Sequence, residues 1–232
     1  VTASFPDPLN DGPAAFGGGV LVVGLGRFGE SVARGLVALD VEVLAVDADE
    51  EIVQRLAPEI PNIVQADATN ARALRQIGGD QFPRAVVGIA SNVEASVLAT
   101  LAIKDELEIP TIWAKALSEP HAKILEALGV HRVIQPESEM GARVARGLAR
   151  GVTDYIRIED DYALVEIAAP RSLLGRPLGQ TGIRSRYGVT IVSVKPPHGS
   201  FQHCDVDTVL VEGELILVAG RPENLDRLIR QA

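Results

Sequence analysis

The chain has 232 residues, 47% hydrophobic and 23% charged, enough for one large domain or two modest ones and wrong for a disordered polymer. Its net charge of −9 divides into −7 up to Arg150 (13 basic, 20 acidic) and −2 beyond (9 basic, 11 acidic), so no basic module neutralises nucleic-acid phosphates. The single cysteine, Cys204, excludes an internal disulfide or CxxC zinc site, and no apolar run reaches the roughly 18–20 residues of a membrane-spanning helix.

Residues 1–19 hold no Lys or Arg and are rich in Pro, Gly, Asp and Ala, which reads as a flexible leader on a soluble, cytoplasmic protein. From residue 20, short apolar runs alternate with amphipathic stretches. The first strand is predicted at 20–23, then a helix at 27–39 with Phe28, Val32, Leu36 and Leu39 on one face. A strand at 41–46 leads to a polar helix at 49–56, a short strand at 62–65 and a short helix at 70–77. The alternation continues with a strand at 85–89, a helix at 93–107, a strand at 111–114, a helix at 120–128 and a strand at 132–134. Six apolar strands separated by helices predict an α/β fold with a Rossmann-like, doubly wound parallel sheet.

The pattern changes after Pro136. A helix at 137–149 precedes β-like segments at 155–158, 163–167, 189–194 and 215–218, divided by Gly- and Pro-bearing turns, and a terminal helix at 224–229. The expected division is a leader at 1–19, a nucleotide-binding lobe at 20–135, a crossover helix or linker at 136–152, and a small α+β lobe at 153–232. Lobes this small favour docking or oligomerisation.

The first strand runs into Gly24-Leu25-Gly26-Arg27-Phe28-Gly29, a GxGxxG that opens a helix. Gly24 suits the tight turn, Gly26 lets a diphosphate approach the backbone, and Gly29 lets helix and strand come close. The free amides of the helix N-terminus then face the anion. Asp47 ends the second strand, 18 residues past Gly29, placed to accept from ribose hydroxyls and to repel the 2′-phosphate of NADP. The alternative for Asp47 is helix capping, for which Asp49 serves at least as well. Arg27, directly after the second glycine, sets a guanidinium beside the phosphates and favours ATP or ADP over NAD(H); the alternative is a surface arginine.

Read together, these residues resemble the RCK or KTN family, the regulatory subunits of Ktr- and Trk-type potassium uptake and the gating domains of potassium channels. The resemblance spans nearly the whole chain after the leader. It is carried by 23–29 (VGLGRFG), 45–47 (AVD), 66–69 (ADAT), 112–116 (IWAKA), 121–129 (HAKILEALG), 133–137 (VIQPE) and 184–188 (RSRYG). It implies an N-lobe followed by a TrkA-C lobe, and a nucleotide-sensing regulator with no turnover. The implied assembly is a homodimer paired through N-lobes, built into a homo-octameric ring on an integral membrane KtrB- or TrkH-like potassium transporter. Exchange of ATP and ADP in the cleft would change the ring's shape.

Carried over by residue, the resemblance puts Arg27 and Lys115 on the γ-phosphate, beside a loop that includes Phe28. Lys115 ends the fifth strand, where an ordinary strand-end lysine is the equal alternative. Asp67 and the adjoining Ala68 match a position near the adenine, and Asn92 is placed to meet the ribose or base. Turn and capping chemistry is the alternative for Asp67, and for Asn92 it is the better reading. Glu126 matches a cation-binding glutamate at the paired interface, implying Mg²⁺ or Ca²⁺; without the resemblance it reads as a solvent-facing helix residue. In the second lobe, Arg184, Pro197 and His198 match a cyclic di-AMP site, although Gly182 stands where responsive members carry asparagine.

Nothing resembles a catalytic constellation. His121, His131, His198 and His203 lack zinc-ligand spacing, and His121 reads as a capping or packing residue at a helix start. The competing class is an NAD-dependent oxidoreductase, which the glycine loop and Asp47 would serve equally well; a scaffold without a ligand is the third. Against the oxidoreductase stand Arg27 and the lack of an acid–base pair.

Overall fold

The computed structural model describes residues 17–89, 92–150, 152–159 and 161–230. The leader expected at 1–19 therefore lies outside the described residues up to residue 16. Its last two residues are held: Gly19 is buried, and Arg84 donates to the carbonyl of Gly18 at 2.5 Å. The chain divides into two compact units, one ending at Pro136 and one beginning at Glu137.

In the first unit, strands β1 (Val20–Val23), β2 (Val43–Asp47), β3 (Ile63–Gln65), β4 (Arg84–Val87), β5 (Thr111–Lys115) and β6 (Arg132–Ile134) form one sheet. Its order is β3-β2-β1-β4-β5-β6, and every neighbouring pair is parallel. All four residues of β1 are buried, because helices cover both faces and continuous apolar strands are then required. One core layer holds Leu21, Val23, Val87, Ile103, Ile112 and Leu125; the other holds Val20, Val22, Leu25, Ala33, Leu56 and Ile60.

The helices are α1 (Arg27–Ala38), α2 (Glu50–Leu56), α3 (Ala71–Gln76), α4 (Val93–Leu101) and α5 (Glu119–Ala127). Side-chain caps start four of them, from Asp49, Asn70, Asn92 and Ser118, each relieving an orphan amide. The helix predicted at 93–107 widens into a π-turn at Ala102–Glu106, with the Leu107 amide donating to the carbonyl of Ala102. The wider turn leaves Ala102, Ile103 and Leu107 all buried.

The boundary falls at the first residue of α6 (Pro136–Arg150), and the second unit builds an antiparallel sheet from β7 (Asp154–Glu159), β8 (Tyr162–Ala168), β9 (Val189–Lys195), β10 (Gln202–His203) and β11 (Leu215–Gly220). The order is β10-β9-β11-β8-β7. In β8 the alternate residues Ala163, Val165 and Ile167 are buried, the period-two pattern of a sheet with one face inward. Leu225, Leu228 and Ile229 of α9 (Pro222–Ile229) join the same core. Two short helices, α7 (Leu178–Thr181) and α8 (Ile183–Tyr187), lie between β8 and β9. No helix among the described residues is long and apolar enough to cross a membrane.

Candidate nucleotide site

The carboxyl ends of β3, β2, β1, β4 and β5 line one edge of the parallel sheet, since Val23 pairs with Val46 and Val87, and Val87 with Ala114. The strand order reverses between β1 and β4, the place where open α/β sheets leave a crevice for a ligand. The glycine loop sits there. Gly24 has φ +81°, which its tight turn requires and an L side chain resists. A Cβ on Gly29 would stand 1.9 Å from the carbonyl oxygen of Gly24, so α1 touches the loop backbone itself. Gly26 is different: it is extended, exposed, and a Cβ there would meet nothing within 4 Å.

That open space fronts the N-terminus of α1, where Gly26 supplies no side-chain cap. The first-turn amides of a 12-residue helix therefore face outward without an intrahelical acceptor. Such donors, open to approach past Gly26, suit an anion such as a diphosphate. Arg27, exposed at the first helical position, places a cation at the positive end of the helix dipole, a costly position unless an anion is nearby.

The structure brings Asp47, Phe28 and Lys115 to this loop. Asp47 Oδ2 accepts from the Leu25 amide at 2.6 Å, and Oδ1 from the Asp49 amide at 2.9 Å. The carboxylate is thus tied to the phosphate loop itself, with lone pairs remaining for hydroxyl donors. Asp49, whose Oδ1 accepts from the Glu51 amide, caps α2, so capping is not what Asp47 does. Lys115 is buried rather than an exposed strand end, and its Nζ lies 5.8 Å from the centre of the Phe28 ring. The ammonium and the glycine loop therefore meet across the switch point.

Asp67, Ala68 and Asn92 sit on the same edge, and Asp67 and Asn92 serve turn and cap chemistry. Asp67 is exposed and its Oδ1 accepts from the Thr69 amide at 2.9 Å and the Thr69 hydroxyl at 2.8 Å, while Ala68 is buried. Asn92 Oδ1 accepts from the Ala95 amide at 3.2 Å, the capping role preferred for it. Sequence reasoning missed Gly88. Its amide donates to Val23 at 2.7 Å, and a Cβ there would lie 2.6 Å from the Gly24 oxygen, so Gly24, Gly29 and Gly88 form one backbone contact. The signal was a glycine directly after an apolar strand.

Glu126 is exposed in the last turn of α5. It lies seven residues beyond the helix start, about 10 Å back from the carboxyl edge. A single chain thus does not bring Glu126 to the phosphate loop, and among the described residues no group of three or more His, Cys, Asp or Glu is arranged to hold a metal. In the second unit, Arg184 is exposed on α8, and Pro197 and His198 are exposed in the turn after β9, His198 with φ +62°. Gly182 has φ +64°, in the left-handed region that asparagine also tolerates.

Comparison with known proteins agrees with this architecture. The sequence matches the TrkA-N domain over residues 20–136 and the TrkA-C domain over residues 162–232. The chain belongs to the RCK family. It is 37% identical over 208 residues to Ktr system potassium uptake protein A of Bacillus subtilis, covering 89% of this chain and 93% of that one. It is 34% identical over 207 residues to Ktr system potassium uptake protein C of the same organism, with the same coverage of 89% and 93%. Among solved structures, the GsuK channel bound to NAD superposes with a TM-score of 0.67 at 20% identity, over 92% of this chain. The matched part is 39% of that channel chain, and at this identity the likeness concerns the fold. The family's TrkA-N domain carries the Rossmann-like sheet seen here, and its TrkA-C domain the antiparallel one.

Proposed function

We propose that this chain is a cytoplasmic regulatory subunit of a Ktr- or Trk-type potassium-uptake system, held at the inner membrane face by an integral membrane transporter. It senses ATP and ADP in the crevice at the glycine loop and catalyses nothing. The observation that carries the nucleotide reading is the open approach at Gly26 onto an uncapped helix N-terminus, flanked by Arg27 and Lys115. Two fixed cations beside a diphosphate cradle favour a third phosphoryl group, which separates ATP from ADP. The near full-length similarity to two Ktr system potassium uptake proteins supports the transport role.

A nucleotide biases an assembly only through its different affinity for two shapes, and the proposed assembly is a homo-octameric ring built from dimers, whose shape follows the ATP-to-ADP ratio. A thermal-shift series tests the ligand class. ATP at about 100 times its Kd, with Mg²⁺, is expected to raise Tm by roughly 5–10 °C, with ADP next and NADH smaller. A dominant NADH response would instead support the second reading, an NAD(H)-sensing regulator. That reading is favoured by Asp47, which suits an unphosphorylated ribose, and by the NAD bound in the GsuK channel.

Glu126 is proposed to bind Mg²⁺ or Ca²⁺ once pairing brings a partner's phosphates and carboxylate close, since one exposed carboxylate alone is a poor divalent site. Glu126→Gln is expected to abolish the cation's contribution to ATP binding while leaving cation-free ATP affinity intact. Calorimetry with and without Mg²⁺ or Ca²⁺ checks this, and an unchanged cation dependence rejects it. Cyclic di-AMP at Arg184, Pro197 and His198 is the remaining proposed ligand, tested by the same titration.

A further inference from the structure

Lys115 does not reach the crevice on the strength of β5 alone. After Lys115 the chain makes a three-residue turn, Ala116 to Ser118, into α5. The Ala116 amide is held by the carbonyl of Ile134 at 2.8 Å. The next amide, that of Leu117, donates to Nδ1 of His121 at 3.2 Å. Ser118 closes the turn from the other side, its Oγ accepting from the His121 amide at 3.4 Å. The imidazole that receives Leu117 is only 1% exposed, beside the buried Ala122 and Leu125 of the same helix.

With Nδ1 accepting, the proton of the neutral ring sits on Nε2, and Nε2 is buried with no hydrogen-bond partner among the described residues. An unmade bond at a buried donor is destabilising, and a leucine in this apolar setting would avoid it. What an imidazole gives that leucine cannot is an acceptor for the Leu117 amide. Burial also pushes the imidazole pKa below its ordinary value, which keeps Nδ1 unprotonated and able to accept.

We propose that His121 is a positioning residue that fixes the turn after β5 and thereby holds Lys115 toward the phosphate loop. The inference rests on the nucleotide reading for its functional consequence, but the tether itself exists without any ligand. Removing the acceptor frees the Leu117 amide and lets the turn relax, and the ammonium beside Phe28 then loses its fixed place.

The test uses the full chain as wild type, His121→Leu, His121→Asn and Lys115→Ala. Hydrogen exchange of the ligand-free proteins is followed by mass spectrometry over residues 115–121, and ATP and ADP affinities are measured by calorimetry. In His121→Leu, exchange across the turn is expected to be roughly tenfold faster, with an unfolding temperature no lower than wild type. Its ATP-to-ADP affinity ratio should fall to that of Lys115→Ala. Asparagine, whose Oδ1 can take the Leu117 amide, is expected to restore slow exchange and the wild-type ratio. Unchanged exchange in His121→Leu overturns the tether, as does a change that asparagine fails to rescue. A faster turn with a wild-type affinity ratio overturns the link to Lys115. Should the wild type itself not distinguish ATP from ADP, the nucleotide reading fails, while the exchange data still decide the tether.

Discussion

Gly29→Ala is expected to lose nucleotide binding altogether and to lower Tm by about 3–10 °C, whereas Gly26→Ala should keep its Tm and lose only the ligand. The first part follows from distances. A Cβ on Gly29 would lie 1.9 Å from the Gly24 oxygen and 3.0 Å from the Gly24 carbonyl carbon, both backbone atoms. Neither can step aside easily. The Gly24 amide donates to Val46 at 2.8 Å, the Leu25 amide is held by Asp47, and Gly88 closes in on the same oxygen from β4. Relief therefore requires α1 or the loop to shift, and overpacking of this kind costs about 1–3 kcal/mol, occasionally more.

At Gly26 the expectation inverts. Its φ of −62° and ψ of −175° suit any residue, and a methyl group there meets nothing within 4 Å. Alanine should be tolerated by the ligand-free protein, because the fold asks nothing of this position that only glycine supplies. The added methyl would stand where a diphosphate must approach the amides. Melting curves with and without ATP separate the two variants. If Gly26→Ala kept a full ATP-induced shift, the phosphate site would have to lie elsewhere.

What could be read in the chain followed from how each element buries itself. β1 is enclosed on both faces and shows as an unbroken apolar run, and β8 alternates because one face is inward. α7 and α8, of four and five residues, are too short for a helical period, and they are set by Gly182 and Gly188 in left-handed geometry. β10 is two exposed residues with no apolar signal at all. The same limit applied at the site. The roles of Gly24 and Gly29 were legible because a motif fixes them locally. The grip of Asp47 on Leu25 and the approach of Gly88 to Gly24 depend on strands distant in sequence. At the start of α5, capping and packing were alternatives for His121; Ser118 caps, and His121 is buried.

Arg27→Ala is expected to weaken ATP by roughly 10- to 100-fold while leaving ADP within about threefold, since a charge-assisted hydrogen bond contributes about 1.5–3 kcal/mol. The side chain is exposed, so its removal leaves the core untouched and relieves a cation from the positive end of α1. Ligand-free Tm should hold or rise slightly, which excludes misfolding as the cause of any loss. In the proposed site the diphosphate would be held by the backbone amides of the first turn, and these do not change. Only the group beyond it depends on the guanidinium. Arg27→Lys should fall between the two, keeping the charge but losing the planar two-point grip on a phosphate. The consequence for regulation follows from linkage: a ligand shifts a conformational equilibrium only by its differential affinity. With ATP and ADP bound alike, the variant's assembly should take one shape in either nucleotide, which small-angle scattering with ATP and with ADP would register. Equal weakening of both nucleotides in calorimetry would place the guanidinium on the inner phosphates and leave Lys115 as the residue that distinguishes the two.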